Sequence, residues 1–402
     1  MNLDCKNMNI FIRLIFLFAI SFHVSYSQFV ATNGPGSSTV KTISVSGQYV
    51  FAGTAGSGVY YTTNEGGTWL ASSNGLGNMT VNKIECSGSV VIACTEAGLY
   101  RSTANGSNWS QVNSGNSSAY TSVRYMNSVF YAGTYNGSIY KSTDNGATWT
   151  LYSSAIAGAI NDMCIFNGVF FAAATGLHVS TNNGAAWSVE YISGPAMVLK
   201  VLFPTGNVLR LGTGNGGKKS TTPLGNFTTD IPWINFVQGY AWVGSYLIAG
   251  MSTGMFWSSD NGTTWNDPTP NYMQGSYVNC VTQSVSNVYA GAGNFVYKRA
   301  INEIIGITVS NTQVPEKFNL SQNYPNPFNP STTINFELPT ESSVTLEVYG
   351  IDGQLVKEVF SQSLAAGSYN YNFDASGLSS GTYFYKMNAG NYTSVKKMVV
   401  LK

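Results

Sequence analysis

Charge is what this chain has least of. Only 9% of its 402 residues are Asp, Glu, Lys or Arg, against roughly 25% in ordinary soluble proteins. The 19 basic and 18 acidic residues nearly cancel, leaving a net charge of +1. Such a balance gives no field for nucleic acid or an anionic surface. Histidine is almost missing, with two copies, and the five cysteines include no CxxC pair. That scarcity argues against a Cys/His zinc site, so no metal and no cofactor is expected. Long apolar runs are also missing. The longest, residues 14–22, falls well short of the about 20 residues of a membrane helix. Lys6 and Arg13 precede or open it and Ser25-Tyr26-Ser27 follow, so residues 1–27 read as a secretory signal peptide, leaving a mature chain without a membrane span. Cys5 lies before the run and is not a lipid-attachment cysteine.

What the chain does have is glycine, aromatic residues and a repeat. The motif Ser/Thr-x-Asp/Asn-x-Gly-x-Thr-Trp is clearest at residues 142–149, STDNGATW, and close copies end at Trp69, Trp109, Trp187 and Trp265. The anchors Trp69, Trp109, Trp149 and Trp187 are spaced by about 40 residues, and the interval from Trp187 to Trp265 is about twice that. A degraded copy ends at Phe227 between them, and one period before Trp69 stands Phe29. A second signature recurs independently as VFAGT, VIACT, VFYAGT, VFFAAAT, VLRLGT, YLIAGM and VYAGAG. Four short strands per period of this length predict an all-β fold, a seven-bladed β-propeller over residues 28–300. The last period lacks a box and tryptophan, so the strand beginning at Phe29 is expected to complete the seventh blade.

The box suits a tight corner. Asp144 and Asp260, or Asn64 and Asn182 in their place, can accept backbone N–H groups of the turn, whereas Ala104 cannot. Gly66, Gly106, Gly146, Gly184 and Gly262 can take a positive φ. Each tryptophan ring is then available for the seam between neighbouring blades. Cys86 and Cys164 read as equivalent inner-strand positions. A Cys86–Cys94 disulfide stays open, although the hairpin register does not place the two opposite.

After Arg299 the pattern changes. Residues 301–317, containing Pro315, read as a linker. Residues 318–402 carry Pro-rich punctuation and then alternating strands around an Asp352-Gly353 turn, which predict a small immunoglobulin-like β-sandwich. This module resembles the type A sorting domain of type IX secretion cargo from Bacteroidetes-related bacteria. The matching residues are Tyr324, Pro325, Asn326, Pro327 and Phe328 within YPNPFNP, Gly381 and Tyr383 in SSGTYFYKM, and Lys396 and Lys397 of the basic tail. The resemblance implies Sec export and transfer across the outer membrane of a Gram-negative bacterium by the type IX machinery. The repeat resembles the Asp-box (BNR-type) propellers: sialidases, xyloglucanases, sortilin-like domains and photosystem II assembly factors. Those families share architecture rather than chemistry, so fold does not give function here.

The residues argue against several chemistries. A sialidase-like site needs three convergent arginines; of Arg101, Arg124, Arg210 and Arg299, only Arg124 falls on an inner strand. A glycosidase needs two carboxylates. Glu85 and Asp162 lie on inner strands, and Glu96, Glu190, Asp230 and Asp267 fall in or near loops of the expected functional face, but no spacing pairs them. Gly212–Gly217 reads as a strand connection, and Lys218 and Lys219 as a small basic spot. Binding is the better expectation. The long loops over residues 230–240 and 267–277 carry Trp233, Phe236, Tyr240, Tyr272 and Tyr277, aromatic residues suited to a sugar ring or a protein anchor. The expected protein is therefore an exported, non-catalytic recognition or scaffold propeller with a glycan or protein ligand. The alternative is a glycoside hydrolase on a neutral polysaccharide.

Overall fold

A computed structural model describes residues 29–112, 118–190, 198–233, 235–243, 246–266, 273, 276–311 and 313–402. The expected signal peptide, Tyr272 and Asp267 lie outside these residues. The described chain is built of antiparallel sheets, with one four-residue helix.

Val40–Ser46, Tyr49–Thr54, Val59–Thr62 and Leu70–Ala71 form the first sheet in simple chain order. The pattern recurs in sheets led by Val81–Ser87, Tyr120–Met126, Asp162–Phe166, Leu199–Thr205 and Val237–Val243; the last has three strands among the described residues. In a seventh sheet, Val278–Gln283, Asn287–Ala292 and Phe295–Ala300 take their fourth strand from the other end of the chain. That strand, Val30–Pro35, pairs antiparallel with Phe295–Ala300 through Val30↔Lys298 and Ala31↔Tyr297. Phe29 beside it is 6% exposed. Each leading strand packs on the next, and Val278–Gln283 packs back on Val40–Ser46. The seven therefore enclose a channel, a propeller-like arrangement.

The seams between sheets hold the apolar core. Phe51 and Val59 of the first sheet pack with Val81, Ile84 and Trp109 of the second. Ile92 and Leu99 of the second pack with Phe130 and Trp149 of the third. Phe227, at the degraded box, lies half-buried on the seam between the fourth and fifth sheets. The period of the sequence is thus the period of a seam.

The boxes form the corners of these seams. In the clearest copy Ser142 Oγ donates to Asp144 Oδ1 at 2.7 Å and accepts from Gly146 N at 2.8 Å. Asp144 also accepts from Thr148 N at 2.9 Å and from Thr148 Oγ1 at 2.6 Å. Hydrogen bonds from Thr148 hold its carboxyl well below the usual range. Asp260 repeats this set, while Asn64 and Asn182 accept from Thr68 N and Ala186 N. The indole N–H of Trp109 donates to Ser72 O at 2.7 Å and that of Trp265 to Asp230 O at 2.9 Å, both in the preceding sheet. Trp69 donates to Thr32 Oγ1 at 3.0 Å, which ties the closing strand to the first sheet. Trp187 is half-buried against Phe170 at a ring distance of 5.5 Å.

Two inferences from the sequence need correction. Cys164 is level with Glu85, not with Cys86: Cys164 pairs with Phe171 and Glu85 with Ile92, each three pairs from its own hairpin turn when the turn pairs are counted by register. The one-residue slip enters at the turn between second and third strands, where four residues separate the paired Cys94 and Leu99 but three separate Ala173 and Leu177. Residues 301–317 are not simply a linker. Ile301–Ile304 is a helical turn and Ile307–Asn311 an edge strand on Gly367–Asp374. Ile301, Ile304 and Ile305 are buried, and their apolar spacing outweighs the Pro315 signal.

The C-terminal module has two four-stranded sheets, led in chain order by Ile307–Asn311 and Ser342–Tyr349. Ser331–Leu338 alternates strictly between buried and open positions, as a half-buried strand should. Ile334, Phe336, Leu346 and Phe360 fill the space between the sheets. This core is continuous, through Ile301 and Ile305, with Val243 and Val288 at the sixth–seventh seam. Gln362 Nε2 also donates to Val285 O at 2.8 Å. Among the described residues no helix is long and apolar enough to cross a membrane.

The corner packing gives a controlled test. Gly146 has φ +79°, and a Cβ there would lie 2.5 Å from Ile92 Cδ1 of the preceding sheet; Gly88 has φ +58° with nothing within 4 Å. Both substitutions to Ala incur the left-handed strain of about 1–2 kcal/mol. Only Gly146→Ala adds overpacking of about 1–3 kcal/mol. Urea unfolding should rank Gly146→Ala as the more destabilised by that second amount.

Candidate functional site

Six of the seven leading strands carry a bulge near their first residues, with register shifts such as those between Val40 and Thr42, Val81 and Lys83, and Val278 and Cys280. The extra residue turns a polar side chain to one mouth of the channel. Around the ring these are Lys41, Asn82, Thr121, Lys200, Gln238 and Asn279, and with Asn161, just before the fourth leading strand, all line one depression of about 370 Å³. Several bond across the seam to the next strand: Asn82 to Tyr120 O at 3.0 Å, Thr121 to Ile160 O at 2.7 Å, Asn161 to Leu199 O at 2.7 Å and Asn279 to Val40 O at 2.9 Å. Lys41 Nζ donates to Asn82 Oδ1, and Asn82 Nδ2 to Glu96 Oε1 at 2.8 Å. Sequence reading missed this ring. Aligning the leading strands on their first apolar residue, or on Ile160 for the fourth, would have exposed it, since a polar residue follows each.

Below the mouth the channel opens into a cavity of about 400 Å³, into which Lys83, Glu85 and Arg124 project. Arg124 clamps Asp162 of the next strand with two bonds of 2.6 Å. Asp162 also accepts from Leu202 N at 3.0 Å and Met163 N at 2.9 Å. Burial opposes its ionisation, but Arg124 outweighs burial and lowers its pKa. Glu85 accepts from Tyr125 N at 3.3 Å, and burial raises its carboxyl pKa against the pull of Arg124 and Lys83. Among the described residues no cluster of three His, Cys, Asp or Glu could hold a metal. The four described cysteines are free, with burial pushing Cys86 to about 12 and Cys280 to about 11.

The expected aromatic residues separate. Phe236 and Tyr277 are exposed, at 40% and 48%, and Tyr277 OH accepts from Gln238 Nε2 of the ring at 2.6 Å. Tyr135, not singled out from sequence, is 64% exposed and lines the same mouth. Trp233 is half-buried against Phe256 at 4.9 Å. Tyr240 is a correction: it belongs to Val237–Val243, is 4% exposed and stacks on Phe203 at 5.7 Å. Strand alternation turns it into the seam, away from solvent.

Asp230 is likewise no loop carboxylate. It is buried in Thr228–Ile231 between Arg210, at 3.3 Å, and Lys219, at 3.1 Å. Burial raises its pKa despite both cations. Lys218 and Lys219 are strand residues, and Lys219 also donates to Gly262 O at 3.2 Å, so they form no basic loop. The arginines are dispersed: Arg101 donates to Asn145 O at 2.8 Å, Arg210 is sealed with Asp230, and Arg299 lies 4.9 Å over Trp257. Glu190 ends a fourth strand, paired with Leu177.

In the C-terminal module Tyr324 stands 81% exposed and Phe328 is buried at 3%. Asn326 accepts from Val399 N at 2.9 Å and donates to Lys397 O at 3.1 Å, which fastens the Pro-rich segment to the last strand. Gly381 and Tyr383 open Gly381–Ala389, paired with the strand that carries Lys396 and Lys397.

Residues 322–401 match the family described as a secretion system C-terminal sorting domain. This marks the chain as one secreted to the cell surface by the type IX system, with that segment engaging the machinery. No curated protein matches the chain. Among solved structures it is similar to YCF48 from Cyanidioschyzon merolae, at 16% identity and TM-score 0.54, over 68% of this chain and 98% of that one. A YCF48 structure described as bound to D1 peptide gives 16% identity and TM-score 0.57, over 69% and 96%. PorZ, a surface component of the type IX system of Porphyromonas gingivalis, gives 13% and 0.55 over 93% of this chain and 61% of its own. An ancestral GH74 enzyme gives 14% and 0.54 over 92% and 63%. At these identities the likeness is one of fold.

Arg124→Met should strand Asp162 and cost about 3–5 kcal/mol, with Arg124→Met/Asp162→Leu recovering most of it. Because the Asp162 pKa is lowered on folding, its contribution is present above the unfolded carboxylate value and lost as pH falls below about 4. Urea titrations at pH 7 and pH 3 should show wild type beginning to lose that contribution, by at most about 1 kcal/mol, and the double variant showing no such loss.

Proposed function

We propose that the seven sheets are the blades of an Asp-box (BNR-type) β-propeller closed by the strand after Phe29. In this reading residues 1–27 are a signal peptide and residues 318–402 an immunoglobulin-like sorting domain. The exported protein is a non-catalytic recognition or scaffold propeller that takes a glycan or protein partner at the channel mouth. One observation carries the functional part: exposed Tyr135 lines one depression with a ring of seven polar residues, while exposed Tyr277 bonds Gln238 of that ring and exposed Phe236 lies two residues before it. Amide and hydroxyl groups with aromatic faces beside them are what sugars and polar peptides require of a site. Packing supports the choice of face, since the C-terminal module meets the propeller at Val285 and Val288, beside the hairpin turn at the other end of the leading strands.

The carboxylates favour binding over hydrolysis. Asp162 is saturated by Arg124 and two backbone N–H groups, and Asp230 is sealed in a seam. Glu96 is bonded to Asn82, so the described acids offer no free facing pair at the mouth. The GH74 neighbour keeps hydrolysis of a neutral polysaccharide as the second reading, because that enzyme is of the same fold. The peptide-bound YCF48 is an example of a propeller with a polypeptide partner.

A glycan-array and peptide-array screen of residues 28–402, with product analysis by mass spectrometry, separates these readings. Saturable binding without cleavage is expected, weakened roughly tenfold by Phe236→Ala or Tyr277→Ala, the size of a lost aromatic contact. Released fragments would overturn the non-catalytic reading.

A further inference from the structure

The mouth is polar all round, but its charges are unequal. Lys41, Lys83 and Lys200 line the depression with one carboxylate, Glu96. Among the described residues none of the three lysines has a carboxylate within salt-bridge distance; the ion pairs are Arg124–Asp162, Arg210–Asp230 and Lys219–Asp230. Glu96 is taken by Asn82, and Asp162 deeper in the channel is taken by Arg124. Glu85 below Lys83 is the remaining acid on the channel wall, and burial favours its neutral form. Burial also lowers the Lys41 pKa against the pull of Glu96, so its ammonium is partly desolvated and lacks a directly contacting carboxylate. In a chain with so little charge, three lysines converging on one depression stand out.

Resting on the reading of the mouth as a recognition site, we infer that its ligand is an acidic glycan whose carboxylate, borne by a uronic acid residue, sits among Lys41, Lys83 and Lys200. The ammonium groups supply the charge-assisted hydrogen bonds a carboxylate takes. Asn161 and Gln238 on the rim present amides to hydroxyls, and Tyr135 and Tyr277 present faces to the pyranose rings. Neutral sugars would leave the lysines unanswered. An acidic peptide meets the charge but makes less use of the aromatic rim.

The test is calorimetric titration of the mature chain, residues 28–402, with three probes: oligogalacturonate, its methyl ester, and an Asp/Glu-rich peptide. Oligogalacturonate should bind, with affinity falling as salt is raised, and esterification should abolish binding. Lys200→Gln removes charge without removing any hydrogen bond described within the chain, so it tests the site without loss of fold. It should weaken binding roughly tenfold, the lower range for a hydrogen bond to a charged group, as should Lys83→Gln. Equal binding of acid and ester would overturn the carboxylate assignment while leaving glycan recognition standing. Binding of the peptide alone would overturn the glycan class but keep the mouth as a recognition site. Binding unmoved by either lysine change would place the ligand elsewhere and overturn both, as would failure of all three probes to bind.

Discussion

A corner with no room for a side chain ties five of the seven sheets to the one before. A Cβ at Gly66 would press on Thr32, at Gly106 on Ser72, at Gly146 on Ile92, at Gly184 on Tyr152 and at Gly262 on Asp230. In every case the neighbour belongs to the preceding sheet. The Asp or Asn two residues earlier fixes the turn by accepting its backbone N–H groups, and the tryptophan three residues later fills the seam. Backbone conformation, hydrogen bonding and burial thus meet in one eight-residue motif. Ala104 lacks the side-chain acceptor, yet Ser102 Oγ still accepts from Gly106 N at 3.0 Å, so the glycine contact is the stricter requirement.

Seams held at their corners leave the channel free for polar chemistry. The bulge residues at the mouth spend part of their hydrogen bonding on the next strand, which makes the ring rigid before any ligand arrives. A prearranged polar ring loses little entropy on binding. Deeper in the channel, Arg124 and Asp162 use the same geometry for structure alone. At the opposite end of the strands the sorting domain shares the core of the sixth–seventh seam, so the sorting domain and the polar mouth lie at opposite ends of the leading strands.

Much of this was legible in the sequence. The box spacing implied a repeating seam, the missing last box implied closure from the N-terminus, and alternation in residues 331–338 implied a half-buried strand. The chemistry was less legible. Tyr240 and Asp230 fell in the long stretch between recognisable strand signatures and so read as loop residues, but both face a seam. Residues 301–317 read as a linker because they lack the repeat signals and contain Pro315, yet a single helical turn suffices to bury Ile301, Ile304 and Ile305. The polar ring escaped notice because bulges shift register by one residue, which a period count of forty cannot resolve.

Closure of the ring is the feature on which seams, mouth and docking face all depend. Hydrogen–deuterium exchange on the peptide spanning residues 29–36 of the mature chain tests it most directly. Pairing with Phe295–Ala300 predicts that its amides exchange as slowly as those of that strand, opening with global unfolding. Exchange within seconds, with residues 295–300 still protected, would contradict a ring closed by its N-terminal strand.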